Sequence, residues 1–259
     1  MLAASLSLSL YSFNIKCSPQ TLDVQHMDEA RFSRRSVFTT AQKLSERDPD
    51  DYELLWRLAR AKHQLAMLPE TSASERATLL KSAAHDMAKA KIYVRSDGGL
   101  YRWYGIILSD LTALQGNKEA IASAYEIRDC FTQALSLNPS DASAHHLLGR
   151  WCLTIATMNS WSRWFAGMLY AEPPKSSLEE ALSCFERAEE LSPGFWVANG
   201  YHLAKTLSLM GKKDLASKWA VSTLRLPILT QDDKENHNLT FELLSSLDPK
   251  AAGEFGRAK

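Results

Sequence analysis

Three segments of this chain repeat one local event: a helical run ends on small and apolar residues, meets a proline, and restarts behind a polar cap. They are Ala41-Gln42-Lys43-Leu44 leading to Asp48-Pro49-Asp50-Asp51, Ala134-Leu135-Ser136-Leu137-Asn138-Pro139-Ser140-Asp141, and Ala188-Glu189-Glu190-Leu191-Ser192-Pro193-Gly194. A fourth, Ala90 to Asp97, keeps the frame with Arg95 in the place of proline. Proline lacks an N–H and cannot continue the preceding helix, whereas an aspartate behind it accepts from the free N–H groups that open the next one. Each segment therefore joins two antiparallel helices. Recurrence at intervals of about 44 to 54 residues makes the chain a repeat array, with units longer than the roughly 34 residues of a minimal tetratricopeptide.

The seam residues agree with that reading. Gly105, Gly149 and Ala204 fall in first helices, and Ala134 and Ala188 late in second helices, while Tyr101, Tyr104, Leu108, Phe131, Leu148, Cys152, Ala181 and Phe185 fill the remaining positions. A small residue on one helix admits a bulky one from its partner. Gly and Pro together make up roughly 8% of the chain against an average near 12%, too few for a hairpin-rich protein. The patterns predict helices over 28–47, 51–67, 74–93, 100–114, 118–137, 142–171 with a break near Asn159, 177–191, 195–210, 213–225 and 231–247. The expected fold is an all-α, right-handed, tetratricopeptide-like helical-repeat solenoid over 28–248, with a flexible extension at 1–27 and a flexible tail at 249–259. A targeting role for the first residues is the alternative to a plain extension. No run reaches the roughly 18 apolar residues of a membrane span, so no transmembrane anchor is expected.

A solenoid of this kind lines its concave side with the first helices of its units. With Pro49, Arg95, Pro139 and Pro193 as a common frame, one inner position reads Trp56, Arg102, His146 and Tyr201, and the next reads Arg60, Ile106, Arg150 and Lys205. The stripe holds four basic residues, a histidine, two aromatics and no acid, in a chain whose thirty Lys and Arg balance thirty Asp and Glu. Such a row suits an extended acidic peptide, with arginine forks on carboxylates and Trp56 or Tyr201 over apolar stems. The competing reading has Arg60 and Arg150 bridging to acids such as Glu53 or Glu189 and only stabilising the stack. A generic nucleic-acid binder is disfavoured by the zero net charge.

The stretch 159–174 is an apolar insert, holding Trp161, Trp164, Phe165 and Met168 with Arg163 among them. It reads as an extra packed helix or, alternatively, as the wall of a phospholipid-sized cavity with Arg163 near a phosphate. Catalysis has little support. The seven histidines form no H-E-x-x-H or His/Cys ligand spacing, and P-loop, G-x-G-x-x-G and G-x-S-x-G motifs are missing from the sequence. No metal, no cofactor and no enzymatic activity are expected. Cys17, Cys130, Cys152 and Cys184 form no C-x-x-C pair and read as thiols of a reducing compartment.

Leu55-Trp56-Arg57-Leu58-Ala59-Arg60-Ala61, Asn138-Pro139-Ser140-Asp141 followed by Leu147-Leu148-Gly149-Arg150-Trp151-Cys152, Ser160-Trp161 with Pro173-Pro174, Glu180-Ala181-Leu182 and Ala188-Glu189 together resemble the regulator of microtubule dynamics proteins over roughly 52–224. Tyr101-Arg102-Trp103 stands where His-Lys-Trp is usual in that family, keeping charge and aromaticity. The resemblance implies a cytoplasmic, microtubule- or spindle-associated binding protein, with acidic tubulin tails as the ligand class. It also implies the alternative of phospholipid binding at organelle contact sites and a mitochondrial association.

Overall fold

A computed structural model describes residues 33–159, 164, 167, 168 and 174–257. The extension expected at 1–27 lies outside the described residues. All regular structure among the described residues is helical. The helices are α1 Arg34–Arg47, α2 Tyr52–Ala66, α3 Ala73–Tyr93, α4 Gly98–Gln115, α5 Asn117–Ala122, α6 Ala124–Leu137, α7 Ala142–Ala156, α8 Leu178–Leu191, α9 Val197–Leu209, α10 Lys213–Leu224, α11 Gln231–Leu247 and α12 Pro249–Ala252.

The turns behave as their residues dictate. Asp51 and Asp141 accept from the N–H groups of Leu54 (2.9 Å) and Ala144 (3.0 Å), and Asp97 accepts from Gly99 (2.7 Å). Each such cap contributes about 1 kcal/mol. The fourth turn uses another device. Gly194 adopts φ +65°, a conformation only glycine takes without strain, and Glu189 accepts its N–H at 2.7 Å, leaving Trp196 as an N-cap without a side-chain bond.

Helices pair as α2 with α3, α4 with α6, α7 with α8, and α9 with α10. Each second helix then packs on the next first helix: α3 on α4, α6 on α7 and α8 on α9. This neighbour-only packing defines a helical-repeat solenoid. One apolar cluster runs from Leu55 to Ala216, and a smaller one at the C-terminal end gathers Ala204, Ala220, Leu224, Leu244 and Ala252.

The small-to-large seam is literal. A Cβ on Gly105 would stand 2.5 Å from Phe131 Cε1, and one on Gly149 would stand 2.8 Å from Phe185 Cε1. The two phenylalanines fill the space the missing side chains leave, at 2% and 0% exposure. Burying each contributes about 2–3 kcal/mol.

Two elements differ from the sequence reading. The run 118–137 is two helices, because Gly116 (φ +119°) ends α4 and Ser123 turns its N–H back to Glu119 and Ile121, separating α5 from α6. The junction seats Trp151, whose Nε1 donates to the Ala124 carbonyl at 2.8 Å. Beyond 248, where composition places a tail, Asp248 caps α12 through the Ala251 N–H (3.0 Å), and Ala252 is buried. Pro249 directly follows this cap at the first helical position, where its missing N–H costs nothing.

Candidate functional site

The inner row is built by α2, α4, α7 and α9. Counted from the capping residues Asp51, Asp97, Asp141 and Trp196, the fifth position holds Trp56, Arg102, His146 and Tyr201, and the ninth holds Arg60, Ile106, Arg150 and Lys205.

The fifth-position residues join one unit to the next. Trp56 is buried, its Nε1 donates to Glu53 Oε2 (3.1 Å), and its ring tip lies against Gly99 at the start of α4. Arg102 is ion-paired with Asp141, the cap of α7, whose side chain is only 9% exposed. His146 is fully buried, 4.4 Å in ring centroid from Trp196 and bonded through Nδ1 to Asn199 Oδ1 at 3.0 Å. Tyr201 is buried as well, beneath Lys205 at 5.6 Å. Of the seven side chains proposed from the sequence as groove contacts, the four at the fifth position are thus engaged: Trp56, His146 and Tyr201 in packed surroundings and Arg102 by a neighbouring charge.

Asn199 fixes the protonation of His146. Both Nδ2 hydrogens are directed away, to the Phe185 carbonyl (3.2 Å) and to Glu189 Oε2 (3.2 Å), so Oδ1 is an acceptor for the Nδ1–H of a neutral imidazole. Nε2 is buried with no hydrogen-bond partner among the described residues. Burial, reinforced by the positive charge of Arg150 and opposed by the Asn199 bond, pushes His146 down to about 3. His202, whose ring centroid is 5.6 Å from that of His146, is pushed down to about 2, first by burial and then by His146, Arg150 and Lys205.

The ninth position differs. Arg150 is exposed and forms no ion pair with a described residue. Lys205 is partly exposed over Tyr201, and Arg60 lies 4.9 Å over the face of Trp103 on α4, a cation–π contact that keeps its charge. Glu53 is engaged by Arg57 (2.8 Å) and Trp56, and Glu189 by Asn199 and Gly194. Arg150 is thus not bridged to Glu189.

Sequence reasoning missed the Arg60–Trp103 contact, Asn199 and the dual use of Asp141. The sixth position after the cap, reading Arg57, Trp103, Leu147 and His202, carries the signal for Trp103. Asn199 has no local signature. His63 and Asp110 (2.7 Å) add a further link between α2 and α4.

In the 159–174 insert, Trp161, Arg163 and Phe165 lie outside the described residues. Trp164 and Met168 are 55% and 64% exposed, so they stand on the surface rather than in a cavity wall. Shallow pockets open elsewhere, one of about 350 Å³ beside His145, Cys184 and Arg187 and one of about 550 Å³ beside Lys91, Tyr101 and Glu126. Among the described residues no three His, Cys, Asp or Glu side chains are grouped to hold a metal, and no helix is long and apolar enough to cross a membrane.

Stacked helix pairs, each packed on its neighbours, place this chain in the class of tetratricopeptide-like helical-repeat proteins. A thermophilic tetratricopeptide protein from Thermus thermophilus superposes with a TM-score of 0.59 at 16% identity, covering 86% of this chain and 97% of that one. That likeness shows the fold alone. The family model for regulator of microtubule dynamics protein 1-3 matches residues 20–248, and the chain belongs to that family. Regulator of microtubule dynamics protein 1 of Mus musculus is 39% identical over 201 residues, 78% of this chain and 66% of the mouse protein. Regulator of microtubule dynamics protein 3 of Xenopus laevis is 31% identical over 195 residues, 75% of this chain and 42% of that protein. The match to the mouse relative thus spans just under two thirds of its length.

Proposed function

We propose that this chain is a non-catalytic binding scaffold that associates with microtubules by holding acidic segments, the tails of tubulin by the family's name, against the ninth-position cations of its inner row. The observation that carries the reading is the placement of Arg150 and Lys205 at the same register on α7 and α9, the first helices of successive units. Neither forms an ion pair with a described carboxylate. Arg60 extends the row toward the N-terminal end. Trp56, Tyr201, His146 and Arg102 support these positions from within the stack, so affinity rests on charge more than on aromatic pockets. The same reading puts the protein at the cytoskeleton.

Contacts of this type are individually weak and screened over about 8–10 Å at physiological salt. Co-sedimentation with microtubules across a salt series tests them. The wild type is expected to lose binding steeply with salt, and an Arg150→Glu, Lys205→Glu double variant to lose most of it at low salt. Equal bound fractions for wild type and variant, or equal binding to microtubules stripped of their tails, would reject the groove.

The exposed Trp164 and Met168, four residues apart, favour a second reading in which the insert meets phospholipid. Flotation with anionic vesicles tests it, and absence of vesicle-bound protein overturns it.

A further inference from the structure

We propose that Cys152 and Cys184 form a dithiol that hydrogen peroxide converts to an intramolecular disulfide, a modification site separate from the inner row. The pairing follows from the closest helix contact in the third unit. Gly149 has no side chain, so α8 comes near enough that a Cβ at 149 would meet Phe185 Cε1 at 2.8 Å and the Cys184 Cβ at 3.1 Å. Cys152 stands one turn further along α7, beside that contact. Cys184 is thereby set against the face of α7 that carries Cys152, and each thiol is the largest influence on the titration of the other. From there to an S–S bond of about 2.05 Å the sulfurs need a side-chain movement rather than a rearrangement of helices.

Access and chemistry are asymmetric within the pair. Cys152 is 6% exposed, whereas Cys184 is half-buried and lines the pocket of about 350 Å³ with His145, Ser183 and Arg187. The pocket admits a molecule the size of a peroxide. The neighbouring Cys184 thiol, with a smaller contribution from Ser176, holds Cys152 down at about 7 against the opposing effects of burial and the Glu180 carboxylate. Cys184 is correspondingly pushed up. Cys130, with no second cysteine beside it among the described residues, is pushed up to about 12, chiefly by burial, and serves as the internal reference.

The reaction balances in two steps. One thiolate of the pair attacks a peroxide oxygen, forming a sulfenic acid and releasing hydroxide, which takes up a proton to become water. The other thiol then displaces the sulfenic oxygen, closing the S–S bond and releasing a second water. Two thiols are oxidised by two electrons and one peroxide is reduced to two waters. The bond spans 152 to 184 and closes a ring around the whole connection between α7 and α8, including the 159–174 insert.

The four cysteines fall in different tryptic peptides, so the full-length native protein suffices for the test. After titration with hydrogen peroxide and alkylation of remaining thiols, mass spectrometry of the unreduced digest should show peptides 151–163 and 176–187 linked. Alkylatable Cys152 and Cys184 should disappear together, about tenfold faster than Cys130, and return after dithiothreitol. In a Cys184→Ser variant, Cys152 should give a dimedone adduct in place of the link, with circular dichroism confirming that the helices persist. A link to Cys17 or Cys130 instead, oxidation of both thiols to sulfinic acid without a link, or loss of Cys130 at the same rate would each overturn the proposal. None of these outcomes depends on microtubule binding, so the groove and the dithiol stand or fall separately.

Discussion

Acid should weaken this fold through His146, and the size of the effect follows from its surroundings. In the native state the imidazole is fully buried, gives its one N–H to Asn199, and points Nε2 at no acceptor, so a second proton has nowhere favourable to sit. Its folded pKa is about 3 against an ordinary 6.5. Above pH 6.5 neither folded nor unfolded chain is protonated there, and the group adds no pH dependence. As pH falls from 6.5 toward 3 only the unfolded chain takes up the proton, so stability falls by about 1.4 kcal/mol per pH unit. Between pH 7 and pH 5 the loss is about 2 kcal/mol, a large share of the 5–15 kcal/mol typical of a domain. His202 acts in the same direction, and Arg150, which faces both rings, stays charged throughout the window.

Urea melts of wild type and His146→Gln at pH 7, 6 and 5 measure this. The glutamine variant has its own packing cost, but that cost is the same at every pH and cancels when slopes are compared. Wild type should lose about 2 kcal/mol more than the variant between pH 7 and 5. Parallel slopes, or a His146 imidazole titrating near 6.5 in the folded protein by nuclear magnetic resonance, would show that the ring is not held neutral by burial and would refute the reasoning.

Adding a methyl group at Gly105 or Gly149 drives a Cβ into Phe131 or Phe185. Gly105→Ala and Gly149→Ala should therefore each cost about 1–3 kcal/mol in chemical denaturation, while Gly211→Ala, with open space around the new atom, should show only the milder strain of φ +77°. Asp141→Ala removes a cap and the partner of Arg102 together, and should cost about 1–2 kcal/mol with a lower Tm. Ser177→Ala breaks the capping box with Glu180 at the start of α8 and should cost about 1 kcal/mol by the same measurement.

The repeat was readable because its signals are local. An Asp behind a Pro caps a helix wherever it stands, and the Gly105 and Gly149 seams follow from side-chain volume at fixed register. The site was readable only in part, because register tells which helix face a residue occupies but not what the adjacent unit places there. Arg102 stands five residues after its cap, where the spacing puts it, yet its charge is met by an aspartate that also serves as a cap, a double role no spacing rule exposes. Asn199 and the Cys152–Cys184 pair come from residues far apart in the chain and meet only after α7, α8 and α9 have stacked. The division of 118–137 into α5 and α6 was hidden because the break is a single residue, Ser123, with helix-compatible residues on both sides and neither Gly nor Pro to mark it.

The two inner positions have different jobs, and the direction of helical side chains explains why. Side chains on a helix lean toward its N-terminus, so a residue five after the cap reaches back over the opening turn, where the next unit presents its own cap. Trp56 meets Gly99, Arg102 meets Asp141, and His146 meets Trp196 in this way. A cation at this position becomes neutralised wherever the following cap is acidic; at α9 the cap is Trp196, which leaves His146 without a carboxylate and favours its neutral form. A residue nine after the cap lies one turn beyond that reach, and on the proposed function Arg150 there would keep its charge for a ligand. Arg102→Ala should accordingly lower stability by about 1–2 kcal/mol, between the values for exposed and buried pairs, whereas Arg150→Ala should leave the denaturation midpoint unchanged and weaken microtubule binding. If Arg150→Ala destabilised the fold and Arg102→Ala did not, the two positions would have exchanged roles and the inner row would have to be redrawn.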